Sequence, residues 1–268
     1  MTGPGLATAL QTALQQFATR GSILVALDFD GVVAELVDRA ENARPRPENA
    51  AALAALAGLP GVHTALVSGR AMESLLSVAS PPESTLLIGS HGAERRLGPE
   101  APPLELDEGQ TRTLAAVGQV LEPVAARYPD SWVESKPAAR VLQVRLARSD
   151  QARRRAVAEA EESLRELAGH TGQGGLAPFF IGHGKDVLEV TVVRADKGQG
   201  LDLLRSASGA EAVLFAGDDV TDETGFARLD PARDVSIKVG PGETAAQFRI
   251  GGPADVATVL EAVRSWRP

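Results

Sequence analysis

Cysteine is absent from the 268-residue chain, so neither a disulfide nor a thiolate metal ligand is available to it. Aromatic residues make up only 4% of the sequence, with one tyrosine and two tryptophans, and the core must therefore be built mainly from alanine, valine and leucine. No apolar run approaches the roughly 20 residues that a membrane-spanning helix requires. The first sixteen residues, MTGPGLATALQTALQQ, lack both a basic segment and a continuous apolar one, so no secretory leader is read there and a cytoplasmic protein is expected. An excess of basic charge is missing as well. The 27 lysines and arginines against 35 aspartates and glutamates leave a net charge of −8, which argues against a nucleic-acid or anionic-membrane surface and suits a metal cation. What is present, 44% hydrophobic and 23% charged residues, is the balance of a globular protein with one large or two modest domains.

The stretch ILVALDFDGVV, from Ile23 to Val33, is the element around which the rest is organised. Its apolar run reads as a fully buried strand, and it carries two carboxylates, Asp28 and Asp30, to its C-terminal end. Ligands of open parallel α/β sheets bind outside that end of the strands, and Gly31 lets the backbone turn away without a Cβ clash. Taken alone, the acidic pair is equally compatible with a solvated turn. Its surroundings narrow the choice. Leu6, Leu10, Leu14 and Phe17 fall at helical spacing before the strand. A helix is expected over residues 48–59, a second strand over 62–67 ending in Ser68-Gly69-Arg70, a helix over 71–78, and a third strand over 86–88 ending in Gly89-Ser90-His91-Gly92. Strands alternating with helices specify right-handed crossovers and a parallel sheet.

Between Leu97 and Leu106 the pattern is broken by Gly98, Pro99, Pro102 and Pro103, which read as a linker. A helix over 111–127, strands over 132–136 and 141–146 around a Pro137 turn, a charged helix over 150–168, and strands over 179–183 and 187–193 describe a small α+β domain inserted into the first. From Lys197 the α/β alternation resumes. It comprises a helix to Ser206, a strand over 213–216 ending in Gly217-Asp218-Asp219, a short helix, a strand over 234–239, and a terminal helix over 254–266. The expected organisation is α/β, with a core of residues 1–96 and 194–268 and an inserted cap of residues 97–193.

Four strand ends carry polar groups, and these divide by sign. Asp28, Asp30 and Asp218 can hold a hard cation; Mg2+ takes a few carboxylates, with waters and a phosphate oxygen completing its octahedron. Ser68, Lys197 and backbone N–H groups at a helix N-terminus can hold the remaining phosphate oxygens. Metal, lysine and a carboxylate free to attack phosphorus suit phosphoryl transfer, in which positioning and charge stabilisation supply most of the catalysis.

DFDG at 28–31, SGR at 68–70, DKG at 196–198 and GDDVTDE at 217–223 occur in the order of the four motifs of the haloacid dehalogenase superfamily of phosphatases, which the chain resembles. The resemblance implies a Rossmann-like core with Asp28 as nucleophile. It implies that Asp30 first protonates the leaving sugar oxygen and then activates the hydrolytic water, with Ser68 and Lys197 holding the phosphoryl group. Mg2+ would be bound by Asp28, Asp218 and the backbone carbonyl of Asp30, supported through water by Asp222; which of Asp219 and Asp222 stands nearer the metal is open.

Within the insert, Glu134 and Lys136 stand two apart on a strand and so share a face, and Lys185 and Glu189, four apart, read the same way. At about 3.3 Å per residue the second pair spans roughly 13 Å, which fits a disaccharide. Without the phosphatase motifs such a row would read as a solvated face laced by ion pairs. A more specific resemblance, covering nearly the whole chain, is to the trehalose-6-phosphate phosphatases, carried by GSHGAE at 89–94, ESK at 134–136 and GKDVLEV at 184–190. It implies hydrolysis of trehalose 6-phosphate to trehalose and phosphate. Glu134, Lys136, Arg145, Lys185 and Glu189 would contact the sugar or its phosphate, and Arg70 and His91 join the substrate-binding set.

Two positions depart from that family's pattern. Val32 stands where threonine is usual, which changes neither metal nor nucleophile; Gln143 stands where histidine is usual, two residues before Arg145, and bears on the sugar contacts. A phosphatase of glucosylglycerol phosphate or sucrose phosphate is the same-class alternative. A degenerate domain that binds a sugar phosphate and supports a synthase is the non-catalytic one, and intact Asp28, Asp30, Lys197 and Asp218 argue against it. A receiver-like signalling domain needs neither the insert nor Asp30. A small sugar phosphate as partner, no nucleic acid, no membrane and a monomeric state complete the expectation.

Overall fold

Five apolar residues in succession make the central strand, and all five are buried, as a strand covered on both faces requires. The structure is a computed structural model that describes every residue except 1–5, 99–103, 170, 173–174, 185 and 268. In chain order its elements are α1 (Thr8–Ala18), β1 (Ile23–Leu27), α2 (Pro47–Ala57), β2 (Val62–Val67), α3 (Met72–Ala79), β3 (Leu86–Gly89), β4 (Glu94–Arg96), α4 (Glu108–Arg127), β5 (Trp132–Lys136), β6 (Ala139–Gln143), α5 (Asp150–Ala168), β7 (Phe180–Gly184), β8 (Val187–Thr191), α6 (Lys197–Ser208), β9 (Ala212–Gly217), α7 (Glu223–Phe226), β10 (Val235–Val239), β11 (Phe248–Ile250) and α8 (Val256–Ser265). Two compact units emerge, Met1–Pro102 with Ala195–Pro268, and Pro103–Arg194.

In the first unit the described strands form one seven-stranded sheet in the order β11-β10-β9-β1-β2-β3-β4. It is parallel except for β4, which runs antiparallel to β3. Side chains of β1 alternate between two cores. Ile23, Val25 and Leu27 pack with Leu14 and Phe17 of α1, Leu56 of α2, Leu75 of α3 and Leu260 of α8; Leu24 and Ala26 pack with Leu201 and Leu204 of α6 and Phe226 of α7. Each core leucine removed to alanine would cost about 2–5 kcal/mol. The register sets Leu27 beside Leu66 of β2 and Ala216 of β9. The residues that follow these three strands therefore emerge at one edge of the sheet.

The α/β class and the parallel sheet between helical layers are as expected from the sequence. Two strands were not legible there. β4 and β11 are three residues long, each contains arginine, and both lie at the sheet's edges, where charged, short strands are common and carry no readable period. α4 begins at Glu108 rather than 111, because Asp107 and Gln110 form a capping box, with Asp107 Oδ1 accepting from the Gln110 N–H at 2.7 Å and Gln110 Oε1 from the Asp107 N–H at 3.0 Å. The D-x-x-Q spacing was the available signal.

The second unit is a four-stranded antiparallel sheet in the order β5-β6-β8-β7. Leu142, Leu188 and Val190 pack one face against Val117, Leu121 and Val124 of α4 and Ala156, Ala160 and Leu164 of α5. β6 runs over Ala139–Gln143, starting two and ending three residues before the expected 141–146. By strand alternation Trp132, Glu134 and Lys136 occupy the face away from these helices, with Glu134 opposite Val141 and Val141 opposite Glu189. Lys185 lies outside the described residues, so its shared face with Glu189 is not part of the described strand, which begins at Val187.

Candidate active site

The N–H of Asp28 donates to the Ala216 carbonyl at 2.9 Å, which carries the β1–β9 pairing one residue past the strand and fixes where the carboxylate emerges. Asp28 is 5% exposed. Lys197, the first residue of α6, is held at the helix start by its N-cap Asp196, which accepts from the Gln199 N–H at 2.8 Å. Its buried Nζ stands 2.8 Å from Asp28 Oδ2 and 2.6 Å from Asp222 Oδ1. The other oxygen of Asp222 accepts from the Asp219 N–H at 2.8 Å, whereas the Asp219 carboxylate turns back to accept from the Val220 N–H at 2.7 Å. Asp28, Asp218 and Asp222 offer oxygens that lie within 4.8 Å of one another. Of the two acids left open by the sequence, Asp222 faces the cluster and Asp219 caps the backbone.

Glycine is required at the approach. Gly31 has φ +78°, and a Cβ there would fall on the Asp218 carboxylate; the residue permits both the turn and the crowding of acids. A cation absent from the sequence reading completes the setting. Lys238 of β10 is buried, and its Nζ donates to the Asp218 carbonyl. A lysine within the otherwise apolar VSIKV was the sign of it.

The charges do not balance. Three carboxylates meet two ammoniums, Lys197 in contact with two of the carboxylates and Lys238 held at the Asp218 carbonyl. Burial pushes Asp28 well above the usual carboxylate range; Lys197 opposes the shift, and Asp222 and Asp218 add to it. Asp218 is pushed up to about 6 by burial and then by Asp222. Burial acts against the charge of Lys197, but Asp28 and Asp222 outweigh it and hold the ammonium above its ordinary value. Oxygen donors crowded until their acidity weakens form a set with negative charge to spare, and a hard divalent cation fits it.

Asp30, the other acid of the first motif, is engaged differently. Arg70 reaches it through Nε to Oδ2 and Nη2 to Oδ1, both at 2.6 Å. The guanidinium lies 5.4 Å from the centre of the Phe29 ring and donates to the Ala40 carbonyl at 2.8 Å. The described partners of Arg70, expected from the family resemblance to meet substrate, are thus protein groups. Ser68 is buried, and its Oγ accepts from the Arg70 N–H at 3.1 Å. His91 sits in a turn at φ 56°, its N–H donating to the Ser68 carbonyl at 3.0 Å, with its ring filling the space that a Cβ on Gly69 would need. Glu94 of the same motif ties the turn to α3, accepting from Ser90 Oγ at 2.6 Å and the Met72 N–H at 3.1 Å.

On the sheet face of the second unit away from α4 and α5, Lys136 Nζ stands 2.8 Å from Glu189 Oε1. Gln143 donates to Glu134 Oε2 at 2.7 Å and accepts from Arg145 Nε at 3.0 Å and Nη2 at 2.7 Å. The Arg145 guanidinium lies 5.9 Å from the centre of the Trp132 ring. Four of the five insert residues expected to bind substrate therefore lie on described backbone; the fifth, Lys185, lies outside it.

A family model described as trehalose-phosphatase matches residues 26–250. The trehalose-6-phosphate phosphatase of Escherichia coli (strain K12) is 30% identical over 240 residues, 88% of this chain and 84% of that protein. Among solved structures, the C-terminal domain of a Candida albicans trehalose-6-phosphate phosphatase superposes with TM-score 0.78 at 19% identity, covering 99% of each chain. The C-terminal domain of a Candida albicans trehalose synthase regulatory protein does so with TM-score 0.73 at 15% identity, covering 97% of this chain and 99% of that one. Likeness at these identities is likeness of fold.

Proposed function

The chain belongs to the trehalose-phosphatase family, and from that premise we propose that it hydrolyses trehalose 6-phosphate to trehalose and phosphate, in trehalose biosynthesis, through an aspartyl-phosphate on Asp28. The observation that carries this reading is Lys197 Nζ between Asp28 and Asp222, with Asp218 close by. A nucleophile, a fixed cation and a metal-ready acid cluster share the end of β1.

In this reading Asp28 attacks phosphorus while Lys197 and Ser68 hold the phosphoryl oxygens. Asp30 gives a proton to the departing sugar oxygen and then takes one from the water that cleaves the acyl phosphate. Asp28, Asp218 and the Asp30 carbonyl would hold Mg2+, supported by Asp222. When bound, Mg2+ neutralises charge on the phosphoryl group and on the acids that surround it. Glu134, Lys136, Arg145, Lys185 and Glu189 read the sugar, and Arg70 and His91 complete the substrate set. A cytoplasmic monomer fits the acidic composition; no helix among the described residues is long and apolar enough to cross a membrane.

The test is phosphate release with Mg2+ across trehalose 6-phosphate, sucrose 6-phosphate, glucosylglycerol phosphate and glucose 6-phosphate. A clear kcat/KM preference for trehalose 6-phosphate is expected. Preference for another ester, or no Mg2+-dependent turnover of any, overturns the reading.

A further inference from the structure

Gln143 is 4% exposed at the end of β6. It lies opposite Trp132 in the ladder and on the same face as Glu134. Its amide spans two charged side chains of opposite sign, giving one hydrogen bond to the Glu134 carboxylate and taking two from the Arg145 guanidinium. The chemistry of this place is restrictive. A carboxylate here would meet Glu134 with like charge, and an ammonium would meet Arg145 in the same way. An aliphatic chain would leave both charged groups without these bonds, and asparagine is one methylene shorter. A neutral group that donates on one side and accepts on the other is what the position needs.

We propose that Gln143 is a specificity-determining positioning residue, which holds Glu134 and Arg145 in one fixed arrangement so that they engage the sugar of the substrate without first being ordered. Free glutamate and arginine side chains lose rotamer freedom when they are immobilised, which weakens binding. Gln143 supplies that ordering before substrate arrives. Glu134 Oε2 is occupied by the amide, which directs Oε1 toward a sugar hydroxyl as acceptor. The Trp132 ring beneath Arg145 restrains the guanidinium from its other side. The inference rests on the sugar-phosphatase reading and adds to it a residue that holds the reading side chains rather than touching the reacting atoms.

The experiment compares the parent, Gln143→Leu and Gln143→His in steady-state kinetics on trehalose 6-phosphate and on p-nitrophenyl phosphate, which carries the ester but no sugar. Gln143→Leu is expected to raise KM for the sugar phosphate about tenfold, the loss of about 1.4 kcal/mol, with a change on the aryl ester at least fivefold smaller. Gln143→His is expected to return that KM to within about threefold of the parent, because a neutral imidazole donates through one nitrogen and accepts through the other. Should the leucine variant fail to fold, Gln143→Asn must show the same selective rise. A parent that prefers trehalose 6-phosphate while Gln143→Leu or Gln143→Asn leaves its KM within twofold overturns the inference alone. A parent with no preference for the sugar ester overturns the functional reading, and this inference with it.

Discussion

Arg70 grips Asp30 through both carboxylate oxygens, each at 2.6 Å, and its guanidinium lies over the ring of Phe29, the residue before Asp30. The fork takes one lone-pair site on each oxygen and leaves a second site on each. In the acid and base role proposed for Asp30, the bidentate pair sets the direction in which those remaining sites face the leaving group. Asp30→Asn is expected to lower kcat/KM, which reports the steps through formation of the aspartyl-phosphate, by about 10²–10⁴ on trehalose 6-phosphate and by far less on p-nitrophenyl phosphate, whose leaving group needs no proton. Arg70→Lys keeps the charge and loses the fork; about a tenfold fall with the same leaving-group dependence is expected. Equal losses on both esters would contradict the acid role.

Asp28 stands in an environment that favours its neutral form, pushed there by burial and by its acidic neighbours. Activity and metal-free stability should accordingly move in opposite directions. Asp28→Asn removes the proposed nucleophile and one member of the crowded acid cluster. Turnover should disappear while the melting temperature in EDTA rises by a few degrees, readable by circular dichroism. Lys197→Met removes the cation instead and leaves Asp28 and Asp222 unpaired and buried. It should cost about 3–5 kcal/mol.

The raised Asp218 gives a pH signature. Between the ordinary carboxylate value and about 6, the folded protein holds a proton here that the unfolded chain has released, so this group's contribution to stability falls as pH rises through that window. Asp28 acts in the same direction. A bound divalent cation competes with those protons and relieves the repulsion. Melting temperatures at pH 5 and pH 7.5, with EDTA or with Mg2+ at roughly 100-fold excess over its measured Kd, should show the larger Mg2+-induced rise at pH 7.5. An equal rise at both values would place the metal elsewhere.

How far the sequence carries depends on the range of the interaction. Ile23–Leu27 is legible because an unbroken apolar run has one stable home, the middle of a parallel sheet, and the alternation of strands and helices around it sets the α/β class. β4 and β11 escape because three residues hold less than two periods of alternation. Asp28 and Asp30 look alike in DFDG, and the fold divides them through partners brought from Lys197 and Arg70, far along the chain. No local spacing encodes such pairing. Asp219 and Asp222 are likewise indistinguishable as letters; a short turn after β9 points one at the backbone and the other at Lys197. Gln143 stands out in the sequence as a departure from a pattern, but its two-sided bond to Glu134 and Arg145 follows only from the register of β5 and β6.

Gly31 concentrates two demands on one residue, a left-handed backbone at φ +78° and a space that Asp218 already fills. Alanine meets neither. The backbone term alone costs roughly 1–2 kcal/mol, which a protein of this size tolerates, so Gly31→Ala is expected to fold with a melting temperature a few degrees lower. The added methyl must also displace the Asp218 carboxylate from Asp28. The Mg2+ concentration for half-maximal activity should therefore rise about tenfold or more. Isothermal titration of Mg2+ into the variant measures the same loss without turnover. A variant that melts lower but binds Mg2+ as the parent does would show that Asp218 is not a ligand, because the backbone penalty would then be the whole effect.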